Sequence, residues 1–216
     1  MSIDALIMAA GSGSRFGSRK QFADLKGETV VLSAVGLFLD NPKINQVFVV
    51  YPPDMEADVF METGKLPPEV YPVQGGEIRE ISVLNALKAS KADYVLIHDA
   101  ARPFAPSEMI ERVIDTMLLE GAAVPAIKMT STLKYLETDG SLSNLDRERV
   151  FAIQTPQGYR RKDILKAYQA RKGGGYTDSS SIAAEYGMAT PIVEGSAKNI
   201  KITRREDINP GMEEFR

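Results

Sequence analysis

Ile3-Asp4-Ala5-Leu6-Ile7-Met8-Ala9-Ala10-Gly11-Ser12-Gly13-Ser14-Arg15-Phe16-Gly17-Ser18-Arg19-Lys20-Gln21-Phe22 is the stretch on which the rest of the chain depends. Its opening is strand-like, with the apolar run Ala5-Leu6-Ile7-Met8 reading as buried. Small residues follow, which let the backbone turn sharply and come close to a ligand. Arg15, Arg19 and Lys20 come next. Bare backbone N–H groups beside clustered cations suit a polyphosphate, because both offer positive potential to the same anion. Without an anion such cations repel: two unit charges ~6 Å apart cost roughly 2–3 kcal/mol at an effective dielectric of about 20. The loop therefore predicts a nucleotide-triphosphate site at the end of the first strand. A tight turn with solvated basic residues is the simpler alternative.

Outward from this loop, apolar runs alternate with helical patterns. Residues 30–39 have helical length and stop at Asp40-Asn41-Pro42. Val47-Phe48-Val49-Val50-Tyr51 is a β-branched strand ended by Pro52-Pro53. Asp54 is placed to cap a short helix running to about Glu62, and 70–73 is a brief strand. Ile81, Val83, Leu84 and Leu87 give one helix face, and Tyr94-Val95-Leu96-Ile97 is a buried strand. Ser107 is expected to cap a helix bearing Ile110, Val113, Ile114, Met117 and Leu118, before strand again at 122–127. Strand and helix in alternation predict an α/β fold with a mainly parallel sheet covered on both faces. Ligands in such sheets sit beyond the carboxyl ends of strands. The glycine loop and His98-Asp99 both fall at such ends.

The alternation breaks at 132–145. Two short runs flank Thr138-Asp139-Gly140-Ser141 and read as a hairpin with an Asp-Gly turn. It has few apolar residues and no helix to cover it, so it is expected to project and to be buried by a second subunit. A strand at 151–154 and a helix at 161–172 follow. Gly173-Gly174-Gly175 is a flexible joint too short to link domains. Thr177 or Asp178 caps a helix containing Ile182 and Ala183, and late strands are expected at 192–193 and 200–202. Arg204-Arg205-Glu206-Asp207-Ile208 starts a helix that Pro210-Gly211 cuts short. With no repeat, low-complexity tract or linker, one domain over 1–216 is expected, with 132–150 as a projecting arm.

Composition narrows the partners. The 216 residues carry a net charge of −3, with a pI near 5.4. A broad nucleic-acid surface is not expected, though a local basic pocket is allowed. With no Cys, disulfides, thiolate catalysis and Cys-based zinc sites are excluded. The N-terminus lacks a basic n-region, and no segment approaches the ~20 apolar residues of a membrane span. A soluble cytoplasmic protein is the expectation, with no membrane partner.

Four further stretches carry chemistry. As a dinucleotide fingerprint the first loop fails, because Phe16 stands where the third glycine belongs and no acidic residue ends the second strand. A nicotinamide-dependent oxidoreductase fails with it, and no Walker lysine pattern is present. In His98-Asp99-Ala100-Ala101-Arg102-Pro103, an acid at a strand end facing a phosphate loop suits a Mg²⁺–nucleotide complex, directly or through water. Arg102 either pairs with Asp99 or binds substrate phosphate. His98, the only histidine, reads as a packed residue rather than a base. In Gly75-Gly76-Glu77-Ile78-Arg79-Glu80-Ile81-Ser82-Val83, two glycines let a loop approach a flat base, and Ser82 is placed to read its edge. Arg79 or Glu77 in solvent on an ordinary turn is the plain alternative. Arg147 sits at the base of the arm, within reach of a neighbour's site. Lys201, inside Asn199-Ile200-Lys201-Ile202-Thr203, must snorkel, pair or meet an anion, since burying its charge alone is costly.

The ordered set Ala-Ala-Gly-x-Gly-x-Arg, Lys-Gln-Phe, Gly-Gly-x-x-Arg-x-x-Ser-Val, His-Asp-Ala-Ala-Arg-Pro, Thr-Leu-Lys, Gln-Thr-Pro-Gln, Thr-Asp and Asn-Ile-Lys-Ile-Thr resembles the 2-C-methyl-D-erythritol 4-phosphate cytidylyltransferase family over essentially the whole chain. The resemblance implies a Rossmann-like α/β domain of the nucleotide-diphospho-sugar transferase type, with a β-arm exchanged in a homodimer. It implies CMP transfer from CTP to the polyol phosphate, with Mg²⁺, in non-mevalonate isoprenoid biosynthesis. By position, Arg15 and Lys20 resemble the cations that stabilise the α-phosphate. Ala9, Ala10, Gly76 and Ser82 resemble the cytosine-binding set, with Gly11 and Gly13 in the same CTP platform. Asp99 and Arg102 resemble the pair near the metal and the sugar phosphate, Asp99 serving CTP and Mg²⁺. Lys201 resembles the lysine positioning the attacking phosphate. Thr132 and Arg147 resemble arm residues completing the partner's site, and Thr177 a further substrate contact.

The chain departs from the family pattern in places. Arg19 replaces the usual proline before the loop lysine, and the loop is about two residues shorter, so Arg19 is a candidate to share the role of Lys20. Ser131 replaces an aspartate, Lys128 stands where proline is common, and a short or absent final helix is expected. Ribitol-5-phosphate cytidylyltransferase is the nearest enzyme alternative, against which Ala101 leans. A noncatalytic nucleotide-binding paralogue is the alternative of another class, against which Arg15, Lys20, Asp99 and Lys201 stand.

Overall fold

A computed structural model describes residues 1–11, 13, 16–171 and 174–208. Strand β1 (Ile3–Met8) leads through the glycine loop to a 3-10 turn at Lys20–Phe22 and a small ladder of β2 (Asp24–Leu25) and β3 (Glu28–Thr29). Then come α1 (Val30–Leu39), β4 (Gln46–Tyr51), α2 (Ala57–Gly64), β5 (Val70–Gln74), α3 (Arg79–Ala89) and β6 (Tyr94–Asp99). The second half holds α4 (Ser107–Glu120), β7 (Ala122–Lys128), the hairpin β8 (Lys134–Leu136) and β9 (Leu142–Asn144), β10 (Phe151–Ile153) and β11 (Gln157–Arg160). It closes with α5 (Arg161–Ala170), α6 (Ser179–Glu185), β12 (Ile192–Glu194) and a 3-10 turn at Arg205–Ile208.

The main sheet runs β5–β4–β1–β6–β11–β7–β12, with β10 continuing beside β7. The β1/β4, β1/β6, β4/β5 and β7/β12 pairings are parallel, while β11 runs antiparallel to both β6 and β7. The expected mainly parallel α/β sheet is therefore present. In β1 both faces are buried, the one polar residue, Asp4, being hydrogen-bonded by the Ser90 hydroxyl at 2.6 Å, as suits a central strand. Ile3, Ala5 and Ile7 pack with α1, α2 and α4, while Leu6 packs with α3, α5 and α6 on the other face. On α4, Met109, Ile110, Val113, Ile114 and Met117 are buried against the sheet. Each such side chain contributes roughly 1.5–3 kcal/mol relative to exposure. Gly121, in the left-handed conformation at φ 87°, ends that helix with its N–H on the Met117 carbonyl.

Several local expectations are corrected. Asp54 caps nothing: α2 starts behind Glu56, which makes no side-chain cap, and Asp54 pairs with Arg19 instead. Ser107 is the first residue of α4, behind Pro106. Residues 200–202 form no strand; their segment is held by an Ile202 N–H to Ala101 carbonyl bond of 2.8 Å. Asp178, not Thr177, caps α6, its carboxylate accepting from the Ser181 N–H. Strand β11 has no counterpart among the expected strands, because Gln157-Gly158-Tyr159-Arg160 has no β-branched run. Gly158 is required sterically: a Cβ there would stand 2.8 Å from the Met117 sulfur and 3.1 Å from Val113 Cγ1. The hairpin forms as expected, its strands antiparallel and Gly140 at φ +84° in the turn. Tyr135, Leu136 and Leu142 leave it with exposed apolar side chains. Gly173, Pro210 and Gly211 lie outside the described residues.

Candidate active site

A cleft of about 530 Å³ opens above the carboxyl ends of β1, β4 and β6. Strand β1 has β4 on one side and β6 on the other, so connections leave it in opposite directions and a crevice results. The cleft takes Met8 to Gly11 after β1, Arg19 to Gln21 from the loop, and Pro52 to Asp54 after β4. The turn into α3 adds Gly76 to Arg79 and Ser82; β6 adds Asp99, Ala100 and Ala101; the segment near the chain's end adds Lys201.

Sterics fix the walls. A Cβ on Gly75 would lie 2.8 Å from both the Ala10 Cβ and the Tyr51 carbonyl oxygen, and one on Gly76 would lie 2.2 Å from Ile81 Cγ2. Gly75 thus lets this turn close onto the ends of β1 and β4, and Gly76 lets it fold against Ile81 of α3. Ser82 braces it: its hydroxyl accepts from the Gly76 N–H at 3.0 Å and reaches the Ile78 carbonyl at 3.2 Å. Ser82 lines the cleft, but its hydroxyl is engaged by the loop backbone. In the first loop Gly13 has φ +70°, and a Cβ would meet the Ser18 carbonyl oxygen at 2.0 Å, so no other residue fits that turn.

Charge converges on Asp99. Its carboxylate meets Lys201 Nζ at 2.6 Å and Arg79 NH2 at 3.5 Å. Burial alone would raise this carboxyl; Lys201, then Arg79 and Arg102, outweigh burial and hold it well below the usual carboxylate range. Asp99 is therefore ionised throughout the neutral range. Lys20 reaches across from the loop to donate to the Ile202 carbonyl at 2.8 Å, next to Lys201. Arg19 turns the other way, to Asp54 at 2.6 Å.

His98 serves structure. It is fully buried, and burial pushes it down to about 4. Its Nε2 lies 3.0 Å from the Arg102 carbonyl, which can only accept, so Nε2 carries the proton. Nδ1 then accepts from the Thr155 hydroxyl at 3.1 Å, and that oxygen accepts the Asp99 N–H at 3.1 Å. A neutral imidazole with both nitrogens in use is no general base; it fixes the backbone of Asp99 instead.

Of the residues expected from sequence, Ala9, Ala10, Gly11, Lys20, Gly76, Ser82, Asp99 and Lys201 line one cleft. Gly13 shapes the loop without lining it. Arg15 lies outside the described residues. Arg102 makes no direct ion pair with Asp99 but lowers its carboxyl from nearby, and its guanidinium donates to the Asn199 carbonyl at 2.6 Å and the Ile153 carbonyl at 3.4 Å, bracing the Lys201 segment. Thr132, Arg147 and Thr177 do not line their own chain's cleft; Arg147 donates to the Thr130 carbonyl at 3.0 Å. Two groups exceed the sequence reading. Arg79 points to Asp99 rather than to solvent, a placement hinted at by its position three residues after Gly76. The Arg19–Asp54 wall left no sequence signal, since the two are far apart in the chain.

The cleft thus combines Lys20, Lys201, Arg79 and Arg19 with two carboxylates, Asp99 between Lys201 and Arg79 and Asp54 beside Arg19. Such a site can bring two phosphates together and neutralise developing charge.

Comparison with known proteins agrees. The model of the family described as 2-C-methyl-D-erythritol 4-phosphate cytidylyltransferase matches residues 3–212. The enzyme of that name from Aquifex aeolicus is 38% identical over 206 residues, 94% of this chain and 93% of its own. The Geobacillus thermodenitrificans enzyme is 33% identical over 215 residues, 96% of this chain and 94% of its own. The crystal structure of the Thermus thermophilus enzyme superposes with a TM-score of 0.80 at 31% identity, covering 96% of both chains.

Proposed function

This chain belongs to the 2-C-methyl-D-erythritol 4-phosphate cytidylyltransferase family, and from that membership we infer the reaction of its cleft. It transfers CMP from CTP to 2-C-methyl-D-erythritol 4-phosphate, giving 4-diphosphocytidyl-2-C-methyl-D-erythritol and pyrophosphate, in non-mevalonate isoprenoid precursor biosynthesis. A phosphate oxygen of the acceptor attacks the α-phosphorus of CTP. The bond from that phosphorus to the bridging oxygen breaks, and pyrophosphate leaves with its electron pair. The acceptor is already an anion and needs no base. The observation that carries this reading is the pairing of Lys201 and Arg79 with Asp99 in the cleft that Lys20 also lines, with the single histidine buried and neutral.

The residue roles are our proposal. Ala9, Ala10, Gly11 and the Gly76–Ser82 turn form the platform for cytidine, with Gly13 shaping its loop. Arg15 and Lys20 stabilise charge on the α-phosphate, and Lys201 positions the attacking phosphate. Arg102 supports the acceptor site through the Lys201 segment, and Thr177 is a further acceptor contact. Mg²⁺ is the proposed cofactor. Among the described residues no three His, Asp or Glu groups converge, but a Mg²⁺ that keeps waters and takes phosphate oxygens needs only one carboxylate. Asp99, held ionised, fits that demand. Bound there, Mg²⁺ would neutralise phosphate charge.

We propose a homodimer in which the arm completes the partner's site. Two features support it: the exposed Tyr135, Leu136 and Leu142 on the hairpin, and the position of Thr132 and Arg147 away from their own cleft. Arg147→Ala is then expected to weaken use of the sugar phosphate by about tenfold or more while sparing CTP, as expected for loss of one charge-assisted contact. Calorimetry with CTP and steady-state kinetics with the acceptor check this; lost CTP affinity would remove Arg147 from the acceptor site. We place the enzyme in the cytoplasm, a reading that the need for CTP supports; no described helix is long and apolar enough to cross a membrane. Pyrophosphate release from CTP with a panel of polyol phosphates tests the function: methylerythritol phosphate is expected to be the best acceptor, and preference for ribitol 5-phosphate would overturn it.

A further inference from the structure

Arg19 and Lys20 are neighbours in sequence but go to opposite walls of the cleft. Lys20 bonds the Ile202 carbonyl beside Lys201; Arg19 bonds Asp54 beyond the end of β4. The Asp54 wall is firm. It follows Pro52-Pro53, the Met55 N–H closes a turn onto the Pro52 carbonyl at 3.2 Å, and the Gln74 amide donates to the Pro53 carbonyl at 3.2 Å. The Asp54 side chain is 71% exposed, that of Arg19 32%, and both line the cleft. An exposed carboxylate in a cleft that accepts a polyphosphate repels its ligand unless a cation covers it. Arg19 offsets that charge at 2.6 Å, and arginine is the residue best suited to grip phosphate oxygens in a fork.

We propose that Arg19 is an anion-binding residue for the β- and γ-phosphates of the nucleotide, held ready at the cleft mouth by Asp54 and handed from that carboxylate to the phosphates when the nucleotide binds. The inference rests on CTP as the nucleotide. It assigns Arg19 to the leaving group, away from the α-phosphate work of Lys20. A triphosphate tail carries several negative charges against one on Asp54, so the exchange favours the ligand. No bond is made or broken; the guanidinium swaps hydrogen-bond acceptors.

Calorimetric titration of pyrophosphate, CTP and CMP, each with Mg²⁺, into wild type, Arg19→Ala, Arg19→Lys and Asp54→Asn tests it. Arg19→Ala is expected to weaken pyrophosphate and CTP by about 10–100-fold, the range of a lost charge-assisted contact, and CMP less than twofold. In kinetics the loss falls on KM for CTP more than on kcat. Arg19→Lys recovers part of it. Asp54→Asn tightens CTP, since it removes both a competitor for Arg19 and a like charge. Pyrophosphate binding within twofold of wild type in Arg19→Ala would overturn the proposal, as would CMP weakened as much as CTP. Asp54→Asn weakening CTP like Arg19→Ala would also overturn it, making the pair a fixed brace. Pyrophosphate reads Arg19 whichever nucleotide is used. A chain that binds pyrophosphate through Arg19 but ignores CTP would sink the functional reading and leave Arg19 a phosphate-binding residue for another nucleotide.

Discussion

Lys20→Ala lowers kcat by about 10²–10³-fold, the usual effect of removing one charge partner from a developing transition state. Pyrophosphate release at saturating CTP and acceptor measures it. Lys20 leaves the 3-10 turn that follows the glycine loop and ends 2.8 Å from the Ile202 carbonyl. Its ammonium therefore joins the loop after β1 to the segment that carries Lys201. In the role proposed for Lys20, truncation would remove a charge from the α-phosphate, and it would also loosen the chain beside the second cation. Both effects act where charge develops, so the loss appears in kcat. Lys20→Arg keeps the charge but not the compact donor set, and it recovers only part of the rate. A Lys20→Ala enzyme within tenfold of wild type would move the α-phosphate to another loop cation. Arg19 is poorly aimed for that, because its guanidinium is turned to Asp54 at 2.6 Å.

Much of the fold can be read from strands whose faces are both apolar. In β1, Ile3, Ala5 and Ile7 serve one layer and Leu6 the other, so the residues declare a central strand before any partner is known. Strand β11 cannot be read this way. Gln157, Gly158 and Arg160 carry no strand signal, and the segment is fixed by its position between β6 and β7 and by the tight approach of Gly158 to Met117. The same division holds in the site. Ala9, Ala10, Lys20 and Asp99 are legible because each adjoins a strand end or a glycine turn. Lys201 is legible for a sound reason, that a lysine among apolar residues needs a counter-charge, but its strand does not exist. The counter-charge is Asp99, 102 residues earlier. The hydrogen bonds of Arg102 escape a sequence reading because proximity in the chain to Asp99 says nothing of side-chain direction; its guanidinium goes to the Asn199 and Ile153 carbonyls. Contacts set by tertiary packing leave little trace in a single sequence.

The ion pairs of the cleft also explain how several cations are stored together. Lys201 and Arg79 share Asp99, and Arg19 has Asp54. Each carboxylate reduces a repulsion that would otherwise reach a few kcal/mol per close pair. The cations are thereby already in place, so bound phosphates would meet ordered charges rather than having to order them from solvent.

Lys201→Met is expected to lower kcat/KM for the sugar phosphate by about 10²–10³-fold, the scale of a lost transition-state charge partner, while CTP affinity changes only a few-fold. It also changes the pH profile, and the sign follows from Asp99. Burial raises that carboxyl, and Lys201 is the largest influence against burial, ahead of Arg79 and Arg102. In the wild type the balance favours the anion, and Asp99 stays charged well into acid. Without Lys201 the carboxyl moves up. Below its new value Asp99 is protonated and loses its hold on Arg79 and on any Mg²⁺ it serves. Activity of Lys201→Met therefore falls as pH is lowered through the range where Asp99 titrates, whereas the wild type shows no limb from this group. Stability follows the same direction. A carboxyl depressed in the folded state stabilises it above the unfolded value of about 3.9, and that contribution fades as pH falls toward the folded value. In Lys201→Met the contribution shrinks. Rate profiles from pH 4 to 8 and thermal melts at both ends of that range separate the two enzymes. Coincident profiles would mean that Arg79, 3.5 Å away, suffices to keep Asp99 ionised. The role of Lys201 would then be confined to the acceptor phosphate.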